Sequence, residues 1–233
     1  MVTILALIAL SWYYMLELMS MNMQPIAAWS SKDIAMLFVM WGIMMTGMML
    51  PSAIPVILLV QRINDSRKAR QVAYTSSYYF VAGYLLAWML YSLIITGIQY
   101  YLHTVSLLTP MMKSGHLSFT SLLLLLAGIY QWLPIKQSCL KNCRSPLSLI
   151  TKDWREGRFN AIKLGFSHGQ YCLGCCWILM ALLFVLGVMD LFWIAILTLA
   201  VFVEKVAPKG EVFAKILGVI LIGISILIHF INI

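Results

Sequence analysis

The sequence predicts an all-α protein, a polytopic transmembrane helical bundle that forms a single membrane domain over residues 1–233. Three observations predict it. The chain is 62% hydrophobic and only 10% charged, too apolar for a soluble domain of this length. Windows of about 20 residues with almost no charge recur along it, each long enough to cross roughly 30 Å of hydrocarbon as a helix. Between those windows the basic residues gather in a few short segments. No internal repeat, low-complexity tract or soluble domain interrupts the pattern.

The windows place seven spans near 2–19, 34–60, 72–98, 118–134, 166–188, 191–206 and 213–232. The first has no Lys or Arg before it and no small-residue cleavage site after it, so it reads as a retained helix and not a signal peptide. Within the second, Pro51 and Pro55 each remove a backbone donor, freeing the carbonyls of Gly47 and Pro51 and predicting a kink. Discontinuous helices of this kind line sites in transporters. The fourth span ends at Pro134, and the stretch 135–165 is the one sizeable polar connection. Its "DWREGRFNAIKLGF" interleaves basic residues with Trp154, Phe159, Ile162 and Leu164, which predicts a short amphipathic helix on the inner surface. Only Met189 and Asp190 separate the fifth span from the sixth, the shortest, so a tight turn is expected there.

Charge sets the expected orientation, because cationic side chains in short loops stay cytoplasmic. With the N-terminus inside, the cytoplasmic segments 61–71, 135–165 and 205–212 and the helix ends beside them hold fourteen of the sixteen Lys and Arg. Lys32 and Lys113 alone fall outside. The net charge of +8 is then explained by topology and by anionic headgroups, so the expected partner is the lipid bilayer and nucleic acid is not needed.

On that topology all five cysteines lie near one membrane face. In "GFSHGQYCLGCCWILM", His168, Cys172, Cys176 and Met180 are successive i+4 positions, with Cys175 beside them, so one helix face carries a column of soft ligands. Gly165 and Gly169 flank the column and let a neighbouring helix approach, so it should face protein. Cys139 and Cys143 form a second i, i+4 pair if the fourth helix continues past Pro134. Each cysteine alone would be read as a small apolar core residue. Five in two clusters at one depth point to function. A structural disulfide is disfavoured in the reducing compartment. Zinc is a second candidate, although neither cluster has the paired spacing of a zinc ribbon. Thiolates and thioethers together are the ligands that select Cu(I).

Methionine supports that choice. The chain has 16, and Met36, Met40, Met44 and Met48 descend the second span at i+4 spacing with Met45 and Met49 alongside, a ladder of about 18 Å. A Met stripe on a membrane helix is commonly only gap-filling. This one descends from an outer group, Met15, Met19, Met21 and Met23 with Met111 and Met112, toward the inner thiols, the order a Cu(I) conduit requires. Glu17, Asp33, His103, His116 and Asp190 border the same outer side. The expected metal residues are therefore Cys139, Cys143, Cys172, Cys175, Cys176, His168, Met44, Met45, Met48, Met49 and Met180. Glu204 and Lys205 read as an interfacial ion pair and His229 as an interfacial histidine. Most of the Tyr and Trp residues read as core or interface anchors. No phosphate-binding loop, Ser/His/Asp set or zinc-protease motif occurs, so no catalytic residue is singled out.

"MTGMMLPSAIP", "FVAGYLLAW", "AGIYQWLPIKQSCLKNCRSP", "GQYCLGCCWILM" and "EK" followed by "PKG" occur in that order. From Trp41 to Gly210 the chain resembles a bacterial family of predicted metal-binding integral membrane proteins. The resemblance implies a bacterial membrane protein that helps to supply copper to a cuproenzyme such as a tyrosinase. Its matching positions are the five cysteines and Met44, Met45, Met48 and Met49. The expected function is accordingly Cu(I) binding for transport or for delivery, with a cuproenzyme or a metallochaperone as partner, in a multi-pass protein of the bacterial inner membrane. Two other functions compete. A membrane thiol–disulfide oxidoreductase would use Cys139/Cys143 and Cys172/Cys175 as dithiols passing electrons to a quinone, but their cytoplasmic placement argues against it. A non-catalytic assembly or structural subunit would use the cysteines for packing alone. Haem is a minor option, because His168 and His229 fall toward opposite membrane faces.

Overall fold

Helix α1 (Val2–Ser20) supplies what α2 (Ser31–Ala69) lacks. Pro51 has no N–H to give the carbonyl of Gly47, and the indole Nε1 of Trp12 on α1 donates to that carbonyl at 3.3 Å instead. The proline-bearing helix therefore runs unbroken for 39 residues and carries Arg62, Arg67 and Lys68, expected in a loop, on its last turns. It starts with a capping box: the Asp33 N–H donates to the Ser30 hydroxyl, and the Ser30 N–H donates to the Asp33 carboxylate at 2.8 Å. This computed structural model describes residues 2–20, 30–72, 74–105, 116–144, 157–188 and 190–231.

The remaining helices are α3 (Ser77–Thr104), α4 (Leu117–Tyr130), α5 (Pro134–Arg144), α6 (Arg158–Ala181), α7 (Leu183–Leu186), α8 (Leu191–Val206) and α9 (Gly210–Ile231). The described residues contain no strand. Each segment expected to be a span is helical over most of its length. Among the described residues four stretches can cross a membrane by length and apolarity: α2, α3, the α6–α7 run and α9. A fifth is added if the bent α4–α5 pair is one span, and α1 is a shorter apolar helix over Val2–Glu17. Large side chains such as Leu93 and Ile94 of α3 and Val219 and Leu227 of α9 stay exposed, as a lipid-facing surface requires.

Two helix pairs build the core around small residues. On α3 and α6, a Cβ at Gly83 would strike the carbonyl of Ile162, and one at Gly165 would strike that of Phe80. Backbones this close exclude any side chain between them. The second pair is α4 and α9, where a Cβ at Gly128 would lie 2.9 Å from the Gly218 carbonyl, and the Ser121 and Ser225 hydroxyls hydrogen-bond at 3.0 Å.

Two expectations change. The fourth helix does not continue past Pro134; it ends at Tyr130, and α5 leaves at 62° with Pro134 as its first residue, a position that needs no N–H. Arg158 to Phe166 of "DWREGRFNAIKLGF" form no separate surface helix but the first turns of α6. Leu164 and Gly165 are already buried there, because packing on α3 begins at that level. Residues 153–156, Trp154 included, lie outside the described residues. The short turn into α8 is present: Gly187 ends α7 at φ 108°, and the Asp190 carboxylate accepts from the Phe192 N–H at 3.1 Å.

Candidate metal centre

The soft-ligand column of α6 faces the protein interior. His168, Cys172, Cys175, Cys176 and Met180 are all buried, because Gly165 and Gly169 seat this face of the helix against α3. From the other side, α5 lowers Cys143 into the same volume, where its thiol contacts those of Cys172 and Cys175; Cys176 contacts the same two. Cys139 stands one turn earlier on α5, half-buried at the edge of the group, where its sulfur packs against Gly174. The 62° bend after α4 makes this meeting possible, since it turns α5 across α6.

The thiols do not converge on one point. Cys175 and Cys176 both turn back along their own helix and donate to the Cys172 carbonyl, at 3.0 and 2.9 Å. Among the described residues no three His, Cys, Asp or Glu side chains are arranged to hold a metal ion. His168, one turn before Cys172, lies beside the rings of Phe80 and Tyr84, with centroids 5.9 and 5.8 Å away, and its buried Nδ1 has no hydrogen-bond partner among the described residues.

Cys172 is the centre of the group. The Tyr84 hydroxyl lies 3.1 Å from its sulfur and 3.1 Å from the Met49 carbonyl, to which it donates. The Lys205 ammonium, brought in by α8, donates to the Cys172 sulfur at 2.7 Å, to the Ser52 hydroxyl at 3.3 Å and to the Met49 thioether at 4.0 Å. Five elements from distant parts of the chain thus meet at one thiol cluster.

Met40, Met44, Met45, Met48 and Met49 are buried and reach down α2 to that cluster. Met36 does not belong to the buried stripe: it is 66% exposed, since a strict i+4 row turns slowly around the helix and leaves the packed face. Met15 of α1 packs by Gly47, and the Met89 sulfur of α3 packs by Gly42. Met21, Met23, Met111 and Met112, with the Met19 side chain, lie outside the described residues.

The expected Glu204–Lys205 ion pair is corrected. Adjacent residues on a helix point about 100° apart. Glu204 instead pairs with Lys136 of α5, at 2.9 and 3.0 Å, with both side chains fully buried, and Lys136 also donates to Gln131. Lys136 and Lys205 are therefore internal groups and not the loop cations that their places in the sequence predict. Tyr84, Ser52 and Lys205 were not read from the sequence as site residues. The available signal was an ionisable side chain in an otherwise apolar helix, which is functional by default in a membrane. His229 sits on the last turn of α9 beside Phe230 and takes no part.

A family model described as PpoB2, copper chaperone, matches residues 38–228, a stretch that takes in the buried methionines of α2 and all five cysteines. No curated protein and no solved structure matches the chain.

Proposed function

The chain belongs to this copper-chaperone family, and on that premise we propose that it holds Cu(I) at the α6 thiol cluster and delivers it to a cuproenzyme. A copper-handling role in a membrane follows from the family and the apolar helices; the ligands and the direction of delivery are this reading's own. The observation that carries it is the meeting of Cys143 with Cys172, Cys175 and Cys176 in one buried volume that also holds the Met49 thioether. Thiolate and thioether donors of this kind suit a soft monovalent ion.

In this reading Cys172 and Cys176 are the principal ligands and Met49 the weaker third. Binding needs the Cys176 thiol to leave the Cys172 carbonyl, a rotation about one side-chain bond. Met44, Met45 and Met48 supply copper from the outer side, with Met180 and His168 flanking the cluster along α6. Cys175, Cys143 and the half-buried Cys139 form a graded way out toward a cuproenzyme or metallochaperone partner. Ligand exchange among two- and three-coordinate sulfur sites moves the ion without any site releasing it to water. Zinc gains no support, since a closed zinc site takes four ligands and among the described residues no three such side chains are arranged to hold a metal ion. We place the protein in the bacterial inner membrane with seven crossings and a cytoplasmic N-terminus, supported by the positions of the basic residues.

The test is copper per chain after anaerobic purification and Cu(I) loading, in the wild type and in a Cys172→Ser/Cys176→Ser variant. Near-stoichiometric copper in the wild type and its loss in the variant is the expected result. Equal copper in both would overturn the site, and redox cycling of the thiols with a quinone in place of copper binding would favour the oxidoreductase.

A further inference from the structure

Among the described residues two lysines are buried at the same end of the bundle, and only one of them has a carboxylate in its hydrogen-bonding shell. Lys136 is neutralised by Glu204. The three N–H donors of Lys205 face Cys172 Sγ, Ser52 Oγ and Met49 Sδ, three acceptors for the three donors of an ammonium. The four buried thiols therefore share their volume with one cation supplied by the protein itself.

We propose that Lys205 is the fixed counter-cation of the metal site and makes it selective for a monovalent over a divalent ion. This rests on the reading of the α6 cluster as the Cu(I) site. As each thiol sulfur binds copper, its S–H bond and the bond from copper to the ligand that delivered it break, and the proton passes to water; no electron moves and the metal remains Cu(I). Two thiolates carry two negative charges, and one Cu(I) ion with one ammonium carries two positive charges. The buried complex is neutral. With a divalent ion on the same two thiolates the complex carries a net positive charge, which a low-dielectric interior penalises. A third thiolate would restore neutrality, but the Cys175 thiol is turned onto the Cys172 carbonyl, and among the described residues no three His, Cys, Asp or Glu side chains are arranged to hold one ion. Without the ammonium the preference reverses: Cu(I) on two thiolates leaves a net negative charge, whereas a divalent ion is balanced.

The contacts define Lys205 as a selectivity residue and not as a ligand. An ammonium has no lone pair to offer a metal. It holds Cys172 in place before copper arrives and can stay beside it afterwards, hydrogen-bonded to Ser52.

The experiment uses the full chain in detergent or nanodiscs. Cu(I) affinity is measured by competition with a chromophoric Cu(I) chelator, and divalent affinity with Co(II), read from its sulfur-to-cobalt charge-transfer absorption. Lys205→Met is expected to weaken Cu(I) binding and to strengthen Co(II) binding, each on the order of 30-fold. Lys205→Gln, which keeps a hydrogen-bond donor toward Ser52, shows the same reversal and serves if the Met variant does not fold. Lys205→Arg keeps the wild-type order of preference. Opposite shifts for the two metals support the proposal, because damage to the structure would weaken both. Parallel weakening of both, or no change in either, overturns it. A wild type that takes up no Cu(I) defeats the copper-site reading itself and this inference with it.

Discussion

Lys136 and Lys205 are both buried at one end of the bundle, and their surroundings differ in kind. Lys136 is held by the two oxygens of Glu204 and by Gln131, hard acceptors that fix α5 to α8. Lys205 is held by a thiol, a hydroxyl and a thioether, soft or weak acceptors that a metal can take over. Burying a charge demands compensation in either place, but a carboxylate compensates permanently whereas a thiol group remains available for exchange. The first arrangement belongs to the scaffold and the second to the site. Helices α5 and α8 belong to both: Lys136 anchors the helix that presents Cys143, and Glu204 lies on the helix that presents Lys205.

The largest effect should come from breaking the scaffold pair. Glu204→Gln leaves the Lys136 ammonium buried among neutral groups and should cost about 3–5 kcal/mol, read as unfolding in detergent. Replacing both partners by apolar residues, Lys136→Met with Glu204→Leu, should recover most of that loss. A double variant as unstable as the single one would contradict a purely structural role. Lys205→Met should destabilise less than Glu204→Gln, because Cys172 is left as a neutral thiol that burial tolerates. If it destabilises more, the contrast between the two lysines fails.

Next comes the close approach that seats the cysteines. A Cβ at Gly165 meets the Phe80 carbonyl, so Gly165→Ala should push α6 from α3 and cost about 1–3 kcal/mol, with a parallel fall in copper retained. Retained copper despite lost stability would mean that the cluster does not depend on that seating. The smallest effect is expected from Tyr84→Phe, which removes the hydroxyl shared by Met49 and Cys172 and should cost about 0.5–1.5 kcal/mol with the copper stoichiometry unchanged. Loss of copper there would raise Tyr84 from support to ligand environment.

The two regions were not equally legible in the sequence. The Cys172–Cys176 column and the small residues Gly165 and Gly169 were readable because a single helical period governs them. The orphan carbonyl created by Pro51 was readable too, since the defect is local, although its donor, Trp12, lies 35 residues away. The lysine partners were not readable. Glu204 and Lys205 are neighbours in sequence and suggested a pair, but helix geometry sends them to different partners, 68 and 33 residues away. The route of Cys143 into the cluster was hidden for a related reason: Pro134 marks a break, but the 62° turn that follows is set by packing on α6 and α8. Met36 failed as part of the ladder because a period of four drifts off the packed face that a period of 3.6 defines.

The most direct test of the central claim is copper K-edge X-ray absorption on the anaerobically Cu(I)-loaded protein, wild type beside Cys172→Ser/Cys176→Ser. A shell made of sulfur alone, of low coordination number and lost in the variant, is the predicted result. Nitrogen or oxygen ligands, or a sulfur shell that survives removal of both cysteines, would contradict the assignment of the α6 cluster as the copper site.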